Sequence, residues 1–425
     1  MIKSFFSKLK KIFQDSVLRK KIFFVLGILI VFRALSAIPI PGVDHNQLAT
    51  FLSNNEFLGF INIFSGGGLS ALSIVMLGVG PYITASIIMQ LMSLVSPRVK
   101  ELYHESGEIG RKKFSQYSRL LTVPLALLQA FGFMLLLKNQ GILPAEMTTV
   151  DTITNMIVIT AGSMLLVWLG ELVTEFGIGN GVSLIIFAGI VSGLPTTVGQ
   201  FILGYDASQL PTLIALIVLA IVIIIGVVMI TEGERSVQVT HAKQVRGGST
   251  YGGTSNYLPL RINQAGVIPI IFAMSVLLFP SMLVNFLGGI DNATLQSVLQ
   301  GIQTFLSNQL YYGIAYFVLV VIFTFFYTAV TFDPEAISKN LQRSGAFIPG
   351  IRPGHATAEF ISRVVTRITL IGAVFLGFIA VLPIIVQSQS GLTGLTVGGT
   401  SLLIVVSVVI DLIKKMDAQI SMREY

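Results

Sequence analysis

The four histidines, His45, His104, His241 and His355, are the side chains best suited to acid–base or metal chemistry near neutral pH. They fall in separate loops between long apolar segments. His104-Glu105 lacks the second histidine that a zinc-protease helix requires. Gly177-Ile178-Gly179-Asn180-Gly181 is followed by no lysine and matches neither phosphate-loop nor dinucleotide patterns, so a loop leading into a helix is its simpler role. The chain contains no cysteine, which removes disulfides, thiolate nucleophiles and thiolate metal sites. No nucleophile–base pair and no metal-ligand set is left, so neither an enzyme nor a bound cofactor is expected.

Charge inside the apolar segments is equally scarce. Arg33, Glu171 and Asp411 all lie near segment ends, where long side chains reach the interface cheaply. An ion-coupled transporter keeps ionisable groups at mid-membrane, so a transporter with broken helices is the weaker reading. The intramembrane polar groups are neutral: Thr84, Ser86, Gln90, Gln129, Asn155, Ser163, Asn263 and Ser275. Helix-to-helix hydrogen bonds, worth about 0.6 kcal/mol each, account for most of them. Gln90 and Asn263 stand apart because each belongs to an irregular, proline-bearing segment. Aliphatic residues also recur at four-residue spacing: Val79, Ile83 and Ile87, then Ile186 and Ile190, and Val267 and Ile271 before Ser275. Helix packing suits any one pair, whereas a hydrophobic constriction needs several of them facing one axis.

The elements that must position these residues follow from composition. Hydrophobic residues form 53% of the 425 and charged residues 11%, with mean hydropathy +0.83; soluble domains carry about 25% charged residues. The chain therefore reads as an all-α polytopic membrane protein. Ten spans are expected: 22–38, 74–95, 120–137, 153–171, 182–203, 212–230, 264–288, 309–330, 368–386 and 396–413. The lysine-rich residues 1–21 lead into the first span without a small-residue cleavage site, as an uncleaved helix would. With both termini in the cytoplasm, every lysine and arginine of the 27 except Arg33 and Lys138 falls on that side. So strong a positive-inside bias supports the span count independently.

Several segments are irregular. Ile61–Ser73 is apolar but too short to span, and Ser65-Gly66-Gly67-Gly68 breaks it. A half-helix running straight into the span at Ile74 must line a protein-walled or water-filled cavity, because lipid cannot solvate irregular backbone. Residues 231–263 alternate as strands around a glycine-rich tip and should form a protruding hairpin. Residues 333–367 begin with a proline-initiated helix at Asp333-Pro334 and carry a turn-rich tip, Gly345 to Gly354, that presents Arg352. The outer stretches 139–152, 204–211, 289–308 and 387–395 read as polar connectors. The spans divide five and five, as residues 1–205 and 206–425. Each half has a second span with glycine and proline together, Gly78 to Pro81 and Gly266 to Pro269, which suits an inverted repeat or a chance similarity of two proline-bearing helices.

Taken in order, several motifs resemble the SecY/Sec61-alpha family, the channel subunit of the Sec protein-translocation complex. They are Phe64 to Gly67 with Pro81 to Ile88, Gly107-Glu108 through Gln116-Tyr117, Gly177 to Gly181 with Ile186 to Ile190, Asn263 to Pro269, Gly345 to Gly354, and Gly398 to Ile404. The resemblance covers nearly the whole chain. It implies two pseudo-symmetric five-helix halves around a central hourglass pore, with Val79, Ile83, Ile190, Ile271 and Ile404 as an aliphatic ring at the waist. Valine at 79, where the family often has isoleucine, would make that ring slightly wider. The re-entrant half-helix about 60–72 corresponds to a plug, including Ile61, Asn62, Phe64, Ser65, Gly66, Gly67 and Leu69. Spans two and seven correspond to a lateral gate lined by Thr84, Ile87, Gln90, Asn263 and Ser275. Lys243, Arg246 and Arg352 correspond to a docking surface for the SecA motor ATPase and the ribosome, with ribosomal RNA as a further contact. The other partners implied are the small subunits SecE and SecG, signal sequences, nascent polypeptides and the lipid bilayer. The location implied is the bacterial plasma (inner) membrane.

Overall fold

A computed structural model describes residues 15–40, 62, 65–69, 71–102, 107–139, 143, 148–203, 210–241, 244–246, 249–251, 255–287, 293–390 and 396–424. Ile61, Phe64 and Lys243 lie outside the described residues, as do His45 and His104. The elements in chain order are α1 (Ser16–Ser36), α2 (Gly80–Val95), a single turn Pro97–Lys100, α3 (Gly107–Asn139), α4 (Thr149–Phe176), α5 (Gly181–Leu203) and α6 (Leu210–Glu232). Four strands follow, β1 (Glu234–His241), β2 (Gln244–Arg246), β3 (Ser249–Tyr251) and β4 (Ser255–Arg261). Then come α7 (Ile268–Leu287), α8 (Ala293–Ser307), α9 (Gln309–Thr331), α10 (Pro334–Arg343), β5 (Ala346–Phe347), α11 (His355–Ser390) and α12 (Thr396–Glu424). Ten of the described helices overlap the ten expected spans, giving an all-α polytopic membrane protein. By length and hydropathy alone, segments within α3, α4, α9–α10 and α11 are sufficient to cross a bilayer.

The expected span from Ile74 is corrected: its helix starts at Gly80. Residues 74–79 form consecutive turns, and the reason is a pairing invisible in local sequence. Ile40 N–H donates to Leu72 O (2.8 Å) and Ile74 N–H to Ile38 O (3.0 Å), with Pro39 bridging Ser73, so this stretch is stitched to the chain after α1. Gly78 then takes φ +58°, a left-handed turn open to glycine, before Pro81 seeds the helix in its first turn. The second such segment behaves alike: Gly266 has φ +63°, and α7 begins two residues later with Pro269 in its first turn. Glycine thus precedes both helices instead of interrupting them.

The expected connector 289–308 is also corrected, since residues 293–307 form α8. Leu295, Leu299, Ile302 and Leu306 follow helical spacing, with Leu299 buried, and the helix packs on α7 and α9. The expected hairpin is present: β1 and β4 pair antiparallel from Glu234 opposite Arg261 to Thr240 opposite Ser255. Val237 and Val239 face inward, as their alternation required. An unexpected third strand, β5, pairs with β1 through Thr240–Phe347 and His241–Ala346, making a sheet of order β4-β1-β5. One sheet therefore joins the two long loops.

Candidate functional site

The aliphatic residues read from helical spacing converge in space. Val79, Ile190, Ile271 and Ile404 are all buried within one cluster, and Ile83 is packed against it. Val79 caps α2 and Ile83 lies in its first turn; the others come from α5, α7 and α12. Phe32 and Ile28 of α1 and Leu166, Leu169 and Val173 of α4 complete the same cluster. Four helices thus bring these aliphatic side chains into one apolar cluster. No periodicity within a single helix could have shown this.

Ile83 and Ile271 of that cluster also line a cavity of about 640 Å³, together with Ser86, Gln90, Ile186 and Phe272 among others. Its wall carries an ion pair that links α3 to α4, Arg119 Nε to Glu171 Oε1 at 2.7 Å. Glu171 is therefore neutralised by a specific partner and not simply reaching the interface. A second cavity of about 270 Å³ is lined by Asn180, Ser183, Arg261, Asn263 and Ser407.

The five residues implied for the gate sit on α2, on α7 and in the turn before α7. Ile87 shares a buried apolar cluster with Ile270, Phe272, Ala273 and Met274 of α7, and α2 and α7 are in contact. The expected helix-to-helix hydrogen bonds are replaced by local ones. Thr84 Oγ1 donates to Gly80 O (3.1 Å), Ser275 Oγ to Ile271 O (2.9 Å) and Gln90 Nε2 to Ser86 Oγ (3.3 Å). Asn263 Nδ2 donates to Gly266 O (3.2 Å). Gln90 Oε1 and Asn263 Oδ1 are buried with no hydrogen-bond donor among the described residues. Among the described residues none of these side chains donates across from α2 to α7, so apolar packing is the contact seen between the two helices.

The described part of the implied half-helix is a chain of turns. Asn62 is helical, but Ser65 to Leu69 form turns, with Gly66 at φ +68° and Gly67 at φ +81°. Two of the three glycines are therefore demanded by the turn itself. Ser65 Oγ donates to Asn62 O (3.0 Å) and accepts from Leu69 N–H (3.0 Å). Leu69 and Leu72 are buried with Met76, Phe133 and Leu137 in a separate apolar cluster. Arg33, expected only to reach the interface, instead donates from Nη1 to Gly66 O at 2.8 Å. Its sequence signal was that it lies outside every basic cluster.

The turn backbone after Ser73 also presses on α4, where a Cβ on Gly162 would overlap the Ile74 carbonyl. Gly162→Val should therefore destabilise the folded protein by about 1–3 kcal/mol through overpacking. A lower thermal midpoint of the purified protein in detergent would show it. An unchanged midpoint would mean that the turn moves aside freely.

On the face carrying the sheet, Arg352 is exposed and makes no ion pair among the described residues. Its loop is rigid for local reasons. Gly345, Gly350 and Gly354 take φ +67°, +82° and +102°. Ser338 Oγ donates to Gly354 O (2.6 Å), and Thr357 Oγ1 donates to the Arg352 carbonyl (2.9 Å). Ala346 and Ile348 are buried against Val237, Val239 and Ile361. Asp333 caps α10 by accepting from Glu335 and Ala336 N–H, as expected of Asp before Pro. Arg246 falls in β2. Among the described residues no group of His, Asp and Glu is arranged to hold a metal ion.

Known proteins share this arrangement. A protein-conducting channel superposes with TM-score 0.62 at 20% identity, covering 93% of this chain and 91% of the other. A SecY protein whose plug domain stabilises the closed state of its channel gives 0.60 at 21% identity, with the same coverage. Sec61 from a canine ribosome–channel complex gives 0.58 at 19% identity, covering 93% and 91%. Among curated relatives, the protein translocase subunit SecY of Mycobacterium bovis is 40% identical over 445 residues, covering all of this chain and 99% of the relative. That of Vibrio cholerae is 42% identical over 417 residues, covering 96% and 93%. The SecY family model matches residues 73–413. With motifs, helix order and aliphatic convergence all in agreement, this chain belongs to the SecY family.

Proposed function

We propose that this protein is the channel-forming subunit of a protein translocase, passing unfolded polypeptides across the membrane and releasing apolar helices sideways into lipid. It is a passive channel and not an enzyme. The observation that carries this reading is the convergence of Val79, Ile83, Ile190, Ile271 and Ile404 in one apolar cluster, of which Ile83 and Ile271 line a cavity. A narrow aliphatic ring excludes ions by dewetting. It also makes no directional bond to a passing chain, so it accepts any sequence. The turn at 65–69 serves as the plug beneath the ring, and the apolar seam of α2 and α7 serves as the lateral gate. An apolar signal helix that binds the opened seam better than the closed one shifts the equilibrium toward opening. Residues 1–205 and 206–425 form the two halves, a division supported by the matching glycine-then-proline starts of α2 and α7.

The charge bias supports an orientation in a bacterial plasma membrane with both termini and the β4-β1-β5 sheet on the cytoplasmic side. There Arg352, with Lys243 and Arg246, presents positive charge to the SecA motor or to the ribosome and its RNA. The likeness to ribosome-bound channels supports the latter. SecE and SecG would cover exposed apolar helix faces.

The test uses the absence of native cysteine. Ile83→Cys, Ile190→Cys and Ile404→Cys, each made singly, should crosslink to a stalled secretory chain. Ile225→Cys on the exposed face of α6 should not. Labelling at Ile225→Cys with none at the other three would overturn the channel axis.

A further inference from the structure

We propose that Arg33 and Ser192 form a polar clamp that holds the 65–69 turn shut and releases it when α1 and α5 separate. This inference rests on the reading of that turn as the plug. Arg33 and Lys138 are the two cations that the positive-inside pattern does not explain, and Arg33 lies in the last turn of α1. Its Nη1 donates to the Gly66 carbonyl at 2.8 Å and to Ser192 Oγ at 3.3 Å. Ser192 has one proton, and its shorter contact is to Gly189 O at 2.8 Å, against 3.5 Å to Gly66 O. The hydroxyl thus donates down its own helix and accepts from the guanidinium. Arg33 is therefore tied at once to the turn and to α5. A charged donor makes this bond roughly twice as strong as a neutral one.

The clamp closes over a fitted seat. A Cβ on Gly66 would overlap the Phe32 ring and stand 3.2 Å from Gly189 Cα, so the turn backbone rests directly on α1 and α5. The seat and the ring share elements. Phe32 and Ile190 are buried in the cluster that holds Val79, Ile271 and Ile404. Their near neighbours in sequence, Arg33 and Ser192, hold the turn. Widening the ring by moving α5 away from α1 pulls Ser192 and the Gly189 seat from Arg33 and Phe32. The bond to Gly66 then loses its geometry. Because the accepted group is a main-chain carbonyl, the bond depends on the seated position of the turn and not on the identity of a plug side chain. Ring dilation and plug release are thereby one event.

The experiment measures export of a reporter with a defective signal sequence, relative to one with an intact signal, in cells carrying the full-length protein with its own partner subunits. Membrane levels of the assembled complex are followed in parallel. Arg33→Ala should raise the ratio by about tenfold, the loss expected of one charge-assisted bond. Arg33→Lys, which keeps a donor but not the fork, should lie between, and Ser192→Ala should give a smaller rise in the same direction. A second arm deletes residues 65–68. The deletion should raise the ratio by itself, and Arg33→Ala should then add nothing to it. If the deletion loosens the channel while Arg33→Ala at normal levels does not, the clamp is wrong and the plug stands. If Arg33→Ala acts equally with and without the turn, Arg33 works elsewhere and the clamp is also wrong. A deletion without effect removes the plug reading itself. Should Arg33→Ala fail to assemble, Arg33→Lys and Ser192→Ala decide, and an unchanged ratio in both overturns the proposal.

Discussion

Ile404→Asn and Ile271→Asn are expected to raise the resting ion conductance of the reconstituted channel by about tenfold or more, and to let defective signal sequences pass. Both isoleucines are buried with Val79 and Ile190, and each comes from a different helix. An asparagine amide placed there loses the apolar contact and finds no donor or acceptor in an aliphatic wall. Leaving such a group unpaired costs about 1–3 kcal/mol, and 1.4 kcal/mol is a factor of ten in a two-state equilibrium. That penalty falls on the closed state, because an opened, wetted ring can hydrate the amide. The same substitution at Ile185, buried in the same cluster but outside the proposed ring, should lower stability without this selective leak. Single-channel recording with the purified complex is the measurement. Resting conductance and signal stringency that stay unchanged in both ring mutants would remove the ring assignment.

The second large effect is on driven transport. Arg352→Glu should abolish motor-driven export while the protein still assembles. The side chain is exposed and unpaired among the described residues, so its removal takes away no internal contact. The loop around it is fixed by three positive-φ glycines and by the Ser338 and Thr357 hydrogen bonds to its backbone. None of these involves the guanidinium. Reversing the charge on a rigid tip turns attraction toward an acidic partner into repulsion, whereas Arg352→Lys keeps the charge and should retain part of the activity. Export of a SecA-dependent precursor into inverted vesicles would read both variants. Normal export by Arg352→Glu would strike Arg352 from the docking surface.

Much of this architecture is legible in the chain because the bilayer simplifies the rules. Each spanning helix needs a long apolar run, and each basic cluster marks one side. All ten expected spans therefore coincide with helices, most within a few residues at their outer ends, while α3, α11 and α12 run more than ten residues further at their inner ends. The β1–β4 hairpin and the α10 start were readable for the same local reason, alternation in one case and Asp-Pro capping in the other. What failed was non-local. Ile74 to Val79 look like the start of a span, yet backbone pairing of 72–74 with 38–40 claims them first. β5 is two residues long and exists because β1 offers an edge. Arg33 looks like an interfacial anchor until the Gly66 carbonyl is found beside it.

Composition, periodicity and charge by themselves thus determined a ten-span, non-catalytic membrane protein and predicted its orientation, since those follow from transfer energies that act residue by residue. The family motifs named the aliphatic and polar positions to examine. Only the tertiary structure decided that four helices bring their aliphatic residues to one cluster, that Thr84, Gln90, Asn263 and Ser275 make local hydrogen bonds, and that one arginine ties the turn to α5. Each of those facts depends on the direction in which side chains from distant segments meet. That direction is set by helix crossing and turn geometry, which no local property of the sequence records.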